Sequence, residues 1–146
     1  MRTFYVLLIV AAVAGCASVA PLKLQSGDTC YRCHRVIQDT KLAAEIMDQG
    51  DRVATSYPFR TAGCMAKYLK ANPAGKSSTA YVTDYLTGRM LEAGDAWFVP
   101  LTLTSADGKT VEHDFAAFGS RADANRFRED VPVKRWAEVL AEVVAE

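Results

Sequence analysis

The sequence predicts an α+β fold in which small antiparallel sheets alternate with helices. Pairs of β-type segments separated by short turn sequences are one basis for this prediction. The other is that segments with apolar residues at helical spacing follow those pairs along the chain. The predicted order is ββαβ, then ββα and a final helix, so each half has a hairpin followed by a helix.

The first half is predicted to contain a hairpin, a helix and a further strand. Residues 43–47 and 52–57 are the hairpin strands, with the turn at 48–51, although propensity alone favours a helix over 41–47. Thr61 is placed to cap a helix running to about residue 71, with Met65, Tyr68 and Leu69 on one face. Residues 79–85 form the next strand, and Gly88 belongs to the turn after it.

The second half repeats this arrangement of hairpin and helix. Strands are predicted at 96–104 and 110–118, with a turn at 106–108. Ser120 and Asp123 have the spacing of a capping box, which predicts a helix to about residue 129. A final helix is predicted over 134–146 because its apolar residues recur every three or four positions.

The first fifteen residues have the pattern of a sorting signal. Arg2 precedes ten apolar residues, which are too few to cross a bilayer but are typical of a signal peptide. The run ends in small residues before Cys16, which resembles the lipobox of bacterial lipoproteins. The expected organisation is a signal at 1–15, a tether at 16–29 carrying lipid on Cys16, and a domain at 30–146 with possible sub-units at about 30–90 and 91–146. The expected location is the bacterial cell envelope, anchored to the membrane and facing the periplasm.

Composition and motifs exclude several classes of function. Lys and Arg balance Asp and Glu at 17 each, so the chain does not have the basic excess of a nucleic-acid-binding protein. No Ser-His-Asp set, paired-carboxylate site or phosphate loop stands out, which predicts that the chain is not an enzyme. Export would leave Cys30, Cys33 and Cys64 in an oxidising compartment as an odd number of thiols.

Several short motifs resemble the NosL family, the lipoproteins that accompany nitrous oxide reductase. They are the lipobox, the Cys-x-x-Cys pair, FRTAGCMAKYL at 59–69, AYVTDYLTG at 80–88, AWFV at 96–99 and FAAF at 115–118. The resemblance implies two ββαβ-like units and delivery of Cu(I) to the copper–sulfur centre of the reductase. The expected partners are therefore a copper-accepting reductase or its assembly machinery.

The chain departs from the family pattern at the Cys-x-x-Cys motif itself. The family usually reads Cys-Pro-x-Cys-Gly-Met, whereas His34 and Arg35 follow Cys33 here. A Met that is common before the final apolar strand is also absent, and His113 lies in that stretch.

Copper binding is the first of two hypotheses for Cys30, Cys33 and His34. Thiolates select Cu(I) and imidazole is acceptable to it, so Cys30 and Cys33 would chelate the ion. His34, Met65 or His113 would complete the site, while Cys64 and Met65 are equally compatible with a place in the core. The flanking Arg32 and Arg35 are expected to lower the thiol pKa values.

Covalent haem binding is the second hypothesis, because Cys-x-x-Cys-His is the attachment signal of c-type haem. His34 would then be the proximal ligand, and the distal ligand would be Met47, Met65, Met90 or His113. A dithiol oxidoreductase and a plain disulfide, either Cys30–Cys33 or Cys30–Cys64, are further alternatives. Zinc is disfavoured because there is no second Cys pair. The sequence favours a copper chaperone, with the c-type haem protein as its alternative.

Overall fold

A computed structural model describes residues 20–50, 53–105 and 108–143. Within these ranges the chain forms six strands and three helices, an α+β arrangement. They are β1 Ala44–Gln49, β2 Ala54–Phe59, α1 Ala62–Ala71, β3 Ser78–Thr83, β4 Met90–Glu92, β5 Trp97–Thr104, β6 Val111–Phe118, α2 Arg121–Phe127 and α3 Trp136–Glu142.

Four strands form an antiparallel sheet in the order β2-β1-β3-β4. In the register of this sheet, Ala44 of β1 lies between Phe59 of β2 and Val82 of β3. All three are buried, since alternate residues of each strand point into the same core. Strand β4, which was not predicted, is only three residues long and therefore too short to show an alternating pattern.

The two long strands β5 and β6 form a separate antiparallel sheet whose register runs from Trp97↔Phe118 to Thr104↔Val111. Phe98 and Phe115 from this sheet share one core cluster with Phe59 and Val82 of the first sheet. Burial of each such side chain contributes about 1.5–3 kcal/mol. The two predicted sub-units thus contribute to one core, and helix α1 packs between the sheets at its centre.

Helix α1 begins and ends as the sequence predicts. The Thr61 side chain caps it by accepting from the Cys64 N–H at 3.1 Å, and Asn72 is its C-cap. Met65 is fully buried, while Tyr68 and Leu69 pack against the same core.

The later helices are shorter than predicted. Helix α2 ends at Phe127, two residues early, because Arg128 has extended backbone angles. Ser120 accepts from the Asp123 N–H, so it caps α2 as predicted. Helix α3 ends at Glu142 because Val143 leaves the helical conformation at φ −68° and ψ 136°. Residues 144–146, like 106–107 of the predicted turn, lie outside the described residues.

The folded part of the chain begins before the predicted boundary at Cys30. Leu24 is buried against Ile37 and Ala43, and Thr29 pairs with Val36 in an antiparallel bridge. Residues from Leu24 onward therefore pack on the domain, where the sequence predicted tether to residue 29. Cys16 and the predicted signal at 1–15 lie outside the described residues. In the part of the chain that is described, no helix combines the length and apolarity needed to cross a membrane.

Candidate metal centre

Three cysteine sulfurs meet where the loop before β1 approaches the first turn of α1. The Sγ atoms of Cys30, Cys33 and Cys64 all lie within 4.8 Å of one another. Those of Cys30 and Cys64 are 3.4 Å apart, and all three residues are free thiols. Three soft ligand atoms at this spacing could hold one metal ion between them.

Backbone hydrogen bonds shape the loop that carries Cys30 and Cys33. The Cys30 N–H donates to the Arg35 carbonyl at 2.9 Å, and the His34 N–H donates to the Cys30 carbonyl at 3.0 Å. The Tyr31 N–H donates to the Pro58 carbonyl at 2.7 Å, which ties the loop to β2. The two cysteines are thus held close together by local structure, and β2 fixes the position of the loop.

The third cysteine is placed by the fold rather than by the loop. Cys64 is the third residue of α1, whose first turn is held by Thr61 and by Asp114 of β6. The Gly63 N–H donates to Asp114 Oδ1 at 2.9 Å, as does the Phe115 N–H at 2.8 Å. Burial nevertheless raises the pKa of Asp114. A side chain at Gly63 would place its Cβ 2.8 Å from Asp114 Oδ1, so this contact requires glycine.

The close approach of Cys30 and Cys64 separates their protonation states. A hydrogen bond from the Cys64 thiol lowers the pKa of Cys30 to about 4, against the opposing effect of burial. Backbone donors at Cys33 and Arg60 contribute to the same shift. The hydrogen bond to Cys30, reinforced by burial, raises the pKa of Cys64. The metal-free centre therefore holds a thiolate at Cys30 and a neutral thiol at Cys64.

This cause differs from the one that the sequence suggested. Arg32 and Arg35 were expected to lower the thiol pKa values, whereas hydrogen bonds within the centre lower that of Cys30. Arg35 instead forms an ion pair with Glu112 of β6 at 2.5 Å, and Arg60 pairs with the same carboxylate. Burial alone would raise the pKa of Glu112, but these two arginines lower it. Glu112 thereby links the cysteine loop, the end of β2 and the start of β6.

The three cysteines differ in their access to solvent. Cys30 is fully buried and Cys64 is 6% exposed, whereas Cys33 is half-buried. Cys33 and Cys64 line a groove of about 740 Å³, which lies within the range of ligand-binding sites. The rest of its lining includes the basic Arg32, Arg35, Arg60 and Lys67 and the acidic Glu112, Asp114 and Glu142.

The group of three sulfurs includes neither of the candidate histidines, His34 and His113. His34 is exposed, and Met65 is fully buried in the same core cluster as Cys30 and Cys64. His113 is exposed on β6, where it contributes to the lining of the groove. Met47 is buried in β1, and the Met90 Sδ lies 3.3 Å from Thr83 Oγ1.

The positions of Cys30 and His34 also bear on the haem alternative. Attachment of haem c requires both thiols to reach vinyl groups, with the adjacent His bound to the iron. Cys30 is buried beside Cys64, and the His34 side chain is exposed. The arrangement suits one small ion shared by three sulfurs better than a porphyrin, and the haem alternative stays a prediction.

Sequence comparison identifies the family. A family model described as NosL matches residues 21–144. The chain belongs to the NosL family. The crystal structure of the copper chaperone NosL from Shewanella denitrificans has the same fold, with a TM-score of 0.60 at 19% sequence identity. The similarity covers 83% of this chain and 95% of that one. No curated protein matches the sequence.

These findings confirm the predicted family and the predicted α+β fold. His34 follows Cys33 at the position where the resemblance to the NosL motif implies glycine. His34 adopts φ 57°, a left-handed conformation that glycine adopts without cost. The backbone at this position thus has a conformation suited to glycine, although the residue is a histidine.

The cluster also shows what the sequence left undecided. Cys64 was as compatible with the core as with a metal site, and Arg60 and Glu112 were not singled out. A cysteine three residues after the helix cap Thr61 was an available signal, since helix N-termini favour thiolates in their vicinity. No comparable sequence signal pointed to Glu112, which lies 52 residues after Arg60 along the chain.

Proposed function

We propose that this NosL protein is a membrane-anchored copper(I) chaperone that delivers copper for the assembly of nitrous oxide reductase. The observation that carries the proposal is the group formed by the sulfurs of Cys30, Cys33 and Cys64. Cu(I) is the cargo, and these three residues are its proposed ligands. The Shewanella denitrificans protein, whose structure has the same fold, is a copper chaperone, which supports the same assignment.

The chemistry of the three thiols fits a soft monovalent ion. Thiolate sulfur selects Cu(I) over the harder divalent ions. Cys30 supplies a thiolate before the metal arrives, and Cys64 would lose its proton on binding. Cys33 is the most accessible of the three, so a ligand from a partner can approach the ion past Cys33 and take the ion from the site.

The proposed cellular setting rests on the N-terminal sequence. Cleavage after Gly15 would leave Cys16 as the lipidated first residue, on the periplasmic side of the cell envelope. The domain is packed from Leu24 onward, so few residues would separate the lipid from the fold. The chaperone would then act close to the membrane. Its proposed partner is a copper-accepting reductase or the assembly machinery of that reductase, and we do not propose a nucleic-acid partner.

A competition titration with a Cu(I) chelator tests the function. We expect the full chain to bind about one equivalent of Cu(I), and the Cys30→Ser/Cys33→Ser double variant to lose most of this affinity. Met90→Leu is a matched control because Met90 is a sulfur-containing residue that packs against a different cluster, formed by Leu24, Ile37 and Ala43. It should bind copper as the unmodified chain does.

Two outcomes would contradict the proposal. One is equal Cu(I) affinity in the double variant and the unmodified chain. The other is a Soret band and covalent haem in protein made with haem-attachment machinery present, which would favour the c-type haem alternative through His34. An unmodified mass for the mature chain from such cells would remove that alternative.

A further inference from the structure

The three thiols have a second use that does not involve a metal. Cys30 and Cys64 are both buried, and their Sγ atoms are 3.4 Å apart. A disulfide bond needs about 2.05 Å between the sulfurs, so a shift of roughly 1.4 Å would join them. Cys33 lies beside this pair and lines the groove, as does the edge of Cys64. The half-buried Cys33 is the most accessible of the three thiols.

We infer that the metal-free centre is a reversible redox site, in which Cys33 passes oxidation inward to a Cys30–Cys64 disulfide. The oxidant is a small disulfide, R–S–S–R, which enters the groove and meets Cys33 first, because Cys33 is the least buried of the three thiols, whereas Cys64 is 6% exposed and Cys30 is fully buried. The product covalently joins the cysteine loop to helix α1 and returns Cys33 to the free thiol.

The relay has three exchange steps, each the attack of a thiolate on a disulfide sulfur. The Cys33 thiolate first attacks R–S–S–R, forming a mixed disulfide and releasing RS⁻. The Cys30 thiolate then attacks the Cys33 sulfur and releases the second RS⁻. Finally Cys64 gives its proton to the released RS⁻, attacks the Cys30 sulfur and releases the Cys33 thiolate.

The electrons and atoms balance over the three steps. Two cysteine thiols are oxidised to one disulfide, and R–S–S–R is reduced to two RSH. The same path runs in reverse with a small thiol as reductant. Oxidation removes two of the three proposed copper ligands, so the disulfide and bound Cu(I) would exclude each other. This last point alone rests on the proposed function.

Peptide mapping after treatment with oxidised glutathione tests the relay on the reduced, metal-free full chain in detergent. Trypsin cleaves after Arg32, Arg35, Arg60 and Lys67, so each of the three cysteines falls in a different peptide. We expect the peptide of Cys30 to be joined to that of Cys64, with Cys33 free to react with an alkylating agent. A final Cys30–Cys33 disulfide, or three free thiols, would overturn the inference.

The entry step has its own test. Cys33→Ser should slow formation of the Cys30–Cys64 disulfide by about tenfold or more, because the oxidant then meets only Cys64, which is 6% exposed, and the fully buried Cys30. His34→Ala is the matched control, since His34 is the exposed neighbour of Cys33 and takes no part in the relay. Oxidation of Cys33→Ser at the rate of the unmodified chain would refute the relay.

Preloading with one equivalent of Cu(I) separates this inference from the proposed function. Protection of both cysteines from oxidised glutathione would support both. If the disulfide forms in the metal-free chain and copper gives no protection, the redox site stands and the copper function fails. If the disulfide never forms although copper binds, the redox inference fails and the copper function stands.

Discussion

The two sides of the cysteine cluster are built in different ways. Cys30 and Cys33 lie on one six-residue loop, where local backbone hydrogen bonds bring them together. Cys64 lies on helix α1, whose first turn is positioned by Asp114 from a strand about fifty residues away. The loop supplies an accessible thiol at Cys33, and the helix supplies a buried thiol donor at Cys64. The cluster therefore exists only when the loop and the helix are docked.

The largest effect should come from removing the helix side of the cluster. Spacing along the chain predicts that Cys64→Ser weakens Cu(I) binding far less than Cys30→Ser, because Cys64 is distant in sequence from the Cys-x-x-Cys pair. The structure changes this expectation, since Cys64 Sγ lies 3.4 Å from Cys30 Sγ. We now expect a loss of about 100-fold or more, because even residues behind the ligands cost 10–100-fold when removed.

Competition titrations of the three single variants, Cys30→Ser, Cys33→Ser and Cys64→Ser, measure this directly. Similar losses in all three would support a three-sulfur site. A loss below about threefold for Cys64→Ser alone would show that the loop holds copper without the helix.

The second effect concerns protonation. Cys64→Ala should raise the pKa of Cys30 from about 4 toward the ordinary value of 9.0, because the hydrogen bond from Cys64 is the main cause of its lowering. Cys30 in the unmodified chain is a thiolate above about pH 4 and gains a proton as the pH falls below it. Protonation of Cys30 should therefore lower Cu(I) affinity only in acid in the unmodified chain, but already near neutral pH in Cys64→Ala. The proton that Cys64 releases on binding makes a separate contribution, which Cys64→Ala removes.

Ultraviolet absorbance of the thiolate, followed against pH in the reduced metal-free chain, measures this titration. Cys30→Ser assigns the signal, since the transition near pH 4 should vanish in that variant. An unchanged midpoint in Cys64→Ala would mean that Cys64 does not lower the pKa of Cys30.

The loop side of the cluster was predictable from sequence and the helix side was not, for a physical reason. Cys30, Cys33 and His34 form a local motif, and the Thr61 cap also depends on neighbours in sequence. The docking of Cys64 against Cys30 depends on side chains that pack together from both sheets, such as Phe59 and Phe115. Such contacts between distant residues leave no periodic pattern in one sequence.

The same distinction explains the successes and errors in the fold. The β1–β2 hairpin, α1 and the β5–β6 pair follow from alternating or helical apolar patterns, and all are present. Leu24 was assigned to a tether because a single apolar residue among polar ones has no period, yet it is buried on Ile37. The sequence pattern likewise does not predict that α3 ends at Glu142, since Val143 continues the helical spacing of apolar residues.

The third effect concerns the contact that positions helix α1 against β6. Gly63→Ala should lower the free energy of unfolding by about 1–3 kcal/mol, because the new Cβ would lie 2.8 Å from Asp114 Oδ1. Urea denaturation measures the loss. Gly94→Ala is the matched control, since a Cβ there meets nothing within 4 Å, and it should stay within about 0.5 kcal/mol of the unmodified chain. Equal stability of the two variants would show that Asp114 does not hold α1.

The smallest effect is expected on the loop, at the residue that made the sequence ambiguous. His34→Gly should raise the free energy of unfolding by up to about 1 kcal/mol. The left-handed backbone at φ 57° costs a residue with a side chain roughly 1–2 kcal/mol, and the greater unfolded-state entropy of glycine offsets part of the gain. Cu(I) affinity should stay within about twofold, because the exposed imidazole lies outside the three-sulfur group.

Urea denaturation and the chelator titration, run on the same preparation, measure the free energy of unfolding and the Cu(I) affinity of His34→Gly. A tenfold loss of affinity would instead make His34 a copper ligand, as the sequence predicted, and the loop side would then bind copper through three of its own residues.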